Sequence, residues 1–236
     1  MFEIAAKVRD PITRLPAIDQ VLEIKLHRLP KRLPRPIGDA ELAARLKMAP
    51  PWTREAAELS RLFGLRRGEI FWLERRHIDP EIEGIRFAPS ETKNGNEELA
   101  HGGKVGWQLL LQLDQQARER GQRYLVTWPG KKHFRKFLAG DRVPADCWQP
   151  LKTVRKSWKQ AALRAGIEQP HRFHDVRARY ITEVAKVLPA AAQDAARHQD
   201  PSTTALYIKL ASSEIRSAVA QANARRPIRA KLKLIR

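Results

Sequence analysis

The stretch His174-Asp175-Val176-Arg177 decides how this chain is read. From it, Val176, Tyr180, Val184 and Val187 recur at helical spacing until Pro189 stops the pattern. His174 and Arg177 stand three residues apart, so one helix face carries both into one pocket. Upstream, Val154, Trp158, Ala161 and Ala165 form another helical stripe, closed by Gly166. Downstream come Arg197-His198 and then Tyr207. Ser212 is placed to cap a last helix over 212–224, with Ile215 and Val219 as its apolar anchors.

The earlier half carries a different pattern. Asp39 can cap a helix through Glu41, Leu42 and Leu46, and Thr53 another with Ala57, Leu59 and Leu62 on its apolar side. Gly64 ends that helix, and a new one begins near Arg67 and runs to about Arg76. Ile82–Ala88 reads as a strand, and Asn94-Gly95 as a two-residue hairpin turn. Residues 105–120 return to helix around Leu109, Leu110 and Leu113, and Tyr124–Trp128 is a short strand. The expected fold class is mainly α with a small antiparallel sheet, an α+β arrangement. Prolines at 11, 16, 30, 34 and 36 make residues 1–37 an arm or linker, 38–224 the folded domain, and 225–236 a tail with six Lys or Arg and no acid.

Charge narrows the partner. Lys and Arg total 45 against 26 Asp and Glu, a net +19. Unpaired charges stay on the surface, so the excess either faces a polyanion or marks a soluble protein that is merely basic. Nucleic acid comes first, because each phosphate contact releases counterions; an anionic membrane comes second. Lys25, Arg28, Lys31, Arg32 and Arg35 form an acid-free strip suited to a phosphate backbone. No apolar run approaches the roughly 18 residues of a membrane span. A single cysteine, Cys147, permits no internal disulfide and fits a reducing, cytosolic compartment.

Several chemistries lack their residues. No P-loop spacing, no HExxH, no zinc-type Cys/His set and no Gly-x-Ser-x-Gly elbow occurs. His171 lies three residues from His174 without a second pair, so it reads as a loop residue beside a functional neighbour. Five segments remain: Gly64-Leu65-Arg66-Arg67-Gly68-Glu69, Thr92-Lys93-Asn94-Gly95, His174-Asp175-Val176-Arg177, Arg197-His198 and Tyr207. In this order and at these separations they resemble the tyrosine recombinases, the family of the phage integrases, over roughly residues 37–220. Ala165-Gly166-Ile167 and Ser202-Thr203-Thr204 add to the likeness.

The resemblance implies the family's catalytic-domain fold and a DNA strand exchange through a 3′-phosphotyrosyl intermediate, without metal, ATP or other cofactor. Arg66 and Arg177 would hold the scissile phosphate's non-bridging oxygens, since guanidinium stays charged and its fork fits two of them. Tyr207 would attack phosphorus. Ionising an ordinary tyrosine at pH 7 costs about 4 kcal/mol, so a base is needed, and His174 is the candidate. Lys93 would protonate the leaving 5′-oxygen, His198 would donate to a phosphate oxygen, and Glu69 would orient the arginines. Arg67 and Arg197 join the arm residues as expected DNA contacts. The expected partners are double-stranded DNA and further copies of the chain, as a tetramer on DNA with helix 212–224 exchanged between subunits.

Four departures from the family pattern stand out. Only residues 1–37 precede the catalytic part, which implies an isolated catalytic domain, a natural truncation or a short relative. Ala178 follows the arginine where the family often has histidine. Ala196-Arg197 replaces Leu-Gly, so the tight glycine turn is expected to be lost. Glu97 and Glu98 stand where basic residues are usual. The alternatives are a truncated or defective integrase that only binds DNA and, more remotely, a type IB topoisomerase.

Overall fold

The computed structural model describes residues 34–92 and 95–224. The chain divides between Arg32 and Leu33, and every described residue belongs to the second unit. In chain order its elements are α1 (Asp39–Met48), α2 (Pro51–Phe63), α3 (Arg67–Trp72), β1 (Ile78–Asp79), β2 (Gly84–Phe87), β3 (Glu98–His101), α4 (Gly103–Glu119), β4 (Thr127–Trp128), α5 (Gly130–Leu138), β5 (Gln149–Pro150), α6 (Arg155–Arg164), α7 (His174–Val187), α8 (Ala192–Ala196) and α9 (Pro201–Ala224). This is the expected helical domain with small antiparallel sheets: β1-β2-β3 in one, β4-β5 in the other.

Helix α2 is the axis of the core. Its buried residues Trp52, Ala56, Leu59 and Phe63 recur every three or four positions and make one face. Phe63 is fully buried, which is worth about 1.5–3 kcal/mol for a side chain of its kind. Pro51 opens the helix at a position where its missing N–H costs nothing. Thr53 lies inside the first turn rather than at the cap, with its hydroxyl 2.6 Å from that of Ser157 on α6. Gly64 ends the helix at φ 60. A side chain there would stand 2.3 Å from the ring of Tyr180, so the chain turns where α7 passes closest.

Several expected elements differ in extent. The helix after Gly64 stops at Trp72, and Arg75–His77 forms a separate 3-10 turn. β2 and β3 pair with Phe87 opposite Glu98, so residues 88–97 connect them instead of a two-residue turn. Pro89–Glu91 forms a 3-10 turn within that connection. Helix α7 buries Val176, Ala178, Ile181 and Ala185, whereas Val187, on the expected stripe, is 87% exposed. One continuous helix, α9, runs from Pro201 through Ser212 to Ala224, so Ser212 is not a cap and Tyr207 is helical. Asp200 opens that helix, accepting the Ser202 N–H at 2.8 Å. The side chains of Ile215 and Val219, the proposed anchors, lie outside the described residues, as does the tail 225–236. Among the described residues no helix is long and apolar enough to cross a membrane.

Candidate active site

The site is built where three chain turns meet: Gly64-Leu65-Arg66 between α2 and α3, the start of α7, and the turn from α8 into α9. Arg177 projects from the first turn of α7 and is 2% exposed. Its two terminal nitrogens donate to the carbonyls of Gly64 and Ala196. Arg66 donates through Nη2 to the carbonyl of Arg197 at 2.6 Å. Two arginines distant in sequence thus grip adjacent carbonyls of one turn.

Glu69 holds the first arginine in place. One oxygen accepts the Arg66 N–H at 2.7 Å, and the other accepts Arg66 Nη1 at 2.6 Å. Burial opposes its charge, but Arg197 beside it and the Arg66 hydrogen bonds prevail and hold its carboxyl below the usual range. Burial, then the Arg197 and Arg66 charges, pull Arg177 down to about 9, which leaves it cationic at neutral pH.

The two histidines join this cationic centre. Loss of hydration, the Arg177 charge and, more weakly, Arg66 and Arg67 hold His174 below its ordinary value of 6.5, against Asp175 acting the other way. His198 is brought to about 4 by the same loss of hydration, followed by Arg177, Arg66, His174 and Arg197. Both imidazoles are therefore neutral at pH 7 and can accept a proton. His198 Nδ1 lies 3.0 Å from the Thr204 hydroxyl on the first turn of α9.

Tyr207 sits one turn further along α9, 7% exposed, with its ring centroid 5.9 Å from that of His198. It packs with Ala178, Ile181 and Ala196. Burial raises its pKa, Arg177 pulls it back, and Asp175 adds to the rise. The phenol is therefore neutral at pH 7. Ala178, where the family often has histidine, is part of the wall that packs on the tyrosine.

A loop anchor explains how α7 begins in the right place. His171 Nδ1 lies 2.5 Å from Glu41, its N–H donates to the same carboxylate at 3.0 Å, and its carbonyl accepts Arg45 at 2.7 Å and the Trp158 indole at 3.2 Å. His171 thus ties the residues before His174 to α1 and α6.

Two hollows flank Arg66. One, of about 540 Å³, lies toward Glu69, Glu98, Arg197, His198 and Thr203. The other, of about 730 Å³, is lined by Arg66, Arg67, Arg155, Lys159, Arg172 and His174, among others, and is the more basic. Arg155 and Lys159 were not singled out from the sequence, although their spacing puts them on one face of α6.

The structure also corrects the sequence reading. Arg197 is not a surface residue: it is 8% exposed, with Nη2 2.5 Å from Glu69 and Nε 3.1 Å from Glu98. Both its charge partners lie within the protein, beside the hollow that Arg197 helps to line. The tight turn expected to be lost is kept, with Arg197 itself in the left-handed conformation at φ 50. Glu98 is the counter-ion of Arg197, and Glu97 that of Arg86 at 2.6 Å. Arg67 and Arg35 are exposed. Lys93, Lys25, Arg28, Lys31 and Arg32 lie outside the described residues.

Several solved structures share this architecture. The chain superposes on XerA recombinase with a TM-score of 0.57 at 18% identity, covering 85% of this chain and 66% of that one. The fold is that of the tyrosine recombinase catalytic domain. On XerH recombinase bound to its palindromic difH substrate, a post-cleavage complex, the TM-score is 0.60 at 15% identity, covering 93% of this chain and 63% of that one. The catalytic domain of bacteriophage HP1 integrase gives 0.50 at 17% identity, with 79% and 94% covered. The chain therefore spans just under two thirds of the two Xer recombinases and nearly all of the isolated HP1 recombinase domain. No protein-family model matches the sequence, and no curated protein does.

Proposed function

We propose that this chain cuts and rejoins double-stranded DNA as a site-specific recombinase of the integrase type. The observation that carries the proposal is the convergence of Arg66 and Arg177 on the adjacent carbonyls of Arg197 and Ala196, with His198 and Tyr207 on the same turn and the helix it opens. A preorganised pair of guanidinium groups is what a pentacoordinate phosphoryl group needs, and losing one such donor typically costs about 10²–10³ in rate.

In the reaction, the Tyr207 oxygen forms a bond to phosphorus while the bond from phosphorus to the 5′-oxygen breaks. His174, neutral at pH 7, takes the phenolic proton. Lys93 gives a proton to the departing 5′-oxygen, and His198 donates to a non-bridging oxygen through its protonated nitrogen. Arg66 and Arg177 carry the growing negative charge. A 5′-hydroxyl of a second strand then gives its proton to Lys93 as it attacks phosphorus, the Tyr207 oxygen leaves and regains its proton from His174, and the DNA is rejoined with no net change in bond type. Arg67, Arg155, Lys159 and Arg172, around the larger hollow, give the duplex its nearest phosphate contacts. The arm residues Lys25, Arg28, Lys31, Arg32 and Arg35 extend that grip, four copies assemble on two duplexes, and residues of the last helix, 212–224, pass between subunits.

The test is a suicide substrate, a nicked duplex whose cut fragment diffuses away. The expected result is a covalent protein–DNA adduct that Tyr207→Phe abolishes. A second reading, DNA binding without cutting, draws on the burial of Tyr207, which is 7% exposed. It predicts salt-sensitive duplex binding, no adduct, and no change in Tyr207→Phe.

A further inference from the structure

Arg197 occupies a left-handed position at a helix end, which glycine usually fills. Helix α8 ends in a paired turn: the Arg197 N–H bonds the Asp194 carbonyl at 2.9 Å, and the His198 N–H bonds that of Gln193 at 3.2 Å. Helix α6 ends in the same pattern, Gly166 to Leu163 at 3.1 Å and Ile167 to Ala162 at 3.0 Å, with glycine at the left-handed residue. Among the described residues only Glu83 and Arg197 adopt that conformation without being glycine. Such an outlier persists only where its surroundings hold it, and it points toward function.

What holds it is a set of contacts to the site's own parts. The guanidinium reaches Glu69, which fixes Arg66, and Glu98, the first residue of β3. It also lies 5.8 Å from the ring of Phe87, the last residue of β2. Phe87 and Glu98 face each other as the final pair before the 88–97 connection. Arg197 therefore touches both sides of that stem while its carbonyl receives Arg66. Glu98 also lies 3.8 Å from Arg66 Nη1.

We propose that Arg197 is a positioning residue, which clamps the β2–β3 stem to the Arg66–Arg177 pair through Glu98 and Phe87 and sets Arg66 through its own carbonyl. Its catalytic consequence rests on the recombinase reading above. Glycine at this position would satisfy the backbone and leave the stem unclamped. The charge of Arg197 and the acid at Glu98 then form one device.

The experiment uses the full chain with Arg197→Gly, Arg197→Lys, Glu98→Gln and the Arg197→Gly/Glu98→Gln pair. Single-turnover adduct formation is measured at saturating DNA, beside duplex affinity and hydrogen exchange of the β2 and β3 amides. Arg197→Gly is expected to slow adduct formation by up to about 10²-fold at unchanged affinity, the scale of an ångström-sized misplacement. Glu98→Gln slows it less, the pair is no slower than Arg197→Gly alone, and Arg197→Lys recovers part of the rate. The proposal is overturned if Arg197→Gly cleaves like the unaltered chain, if the two losses multiply, or if the loss lies in affinity. Should the unaltered chain form no adduct, the recombinase reading fails and exchange decides the clamp alone. Faster exchange across β2 and β3 in Arg197→Gly supports it, and unchanged exchange overturns it.

Discussion

Two left-handed turns hold the arginine pair, and they meet the same backbone demand with opposite residues. Gly64, at φ 60, offers its carbonyl to Arg177 and has no side chain because Tyr180 fills the space. Arg197, at φ 50, offers its carbonyl to Arg66 and carries a long charged side chain, because Glu69 and Glu98 stand ready to receive it. Sterics decide the first turn and electrostatics the second. A left-handed position thus does not identify its residue until the neighbouring space and charge are known.

Breaking the pair itself has the largest effect. Arg177→Ala leaves the Gly64 and Ala196 carbonyls without their donor and removes a charge from the proposed phosphate site. Adduct formation should fall by about 10²–10³ or more in a single-turnover assay. Gly64→Ala breaks the sterically governed turn. The left-handed penalty and overpacking against Tyr180 together cost about 2–5 kcal/mol, read as a lower denaturation midpoint. Arg197→Ala and Arg197→Gly sharpen the other turn: both lose the ion pairs, but alanine keeps the backbone penalty. The glycine variant should be the more stable by about 1–2 kcal/mol in denaturant titration.

The smallest effect is on pH dependence. His198 sits near 4 in the folded chain against an ordinary 6.5. Between those values the unfolded chain binds a proton that the folded chain refuses, so stability is full above pH 6.5 and is lost as pH falls toward 4. The lowered His174 acts in the same direction. A His198→Gln variant should show a shallower fall in melting temperature across that window.

The long amphipathic segments were legible in the sequence. The stripes of α2, α4 and α6 follow from periodicity alone, and the family resemblance named Arg66, His174, Arg177, His198 and Tyr207, residues that the fold brings to one set of turns. What was not legible depended on contacts across the fold. Helix α5 offers only Phe134, Phe137 and the half-exposed Leu138 as an apolar side, and Phe137 stands edge-on to Trp148 at 5.1 Å. The start of α9 was signalled by Asp200-Pro201, a capping residue followed by proline at the first helical position, yet Ser212 drew the boundary eleven residues late. Arg197 could not be placed, because its partner Glu98 lies on a strand far away in sequence and only the folded chain brings the two acids to it.

The sharpest measurement compares single-turnover cleavage of a natural phosphate with that of a neutral methylphosphonate at the same position, by the unaltered chain and by Arg66→Ala and Arg177→Ala. If the two guanidinium groups exist to neutralise phosphoryl charge, at least one arginine variant should lose far less on the neutral linkage than on the phosphate. Equal losses on both linkages, or full activity of both variants on phosphate, would contradict the convergence of Arg66 and Arg177 on a single phosphorus.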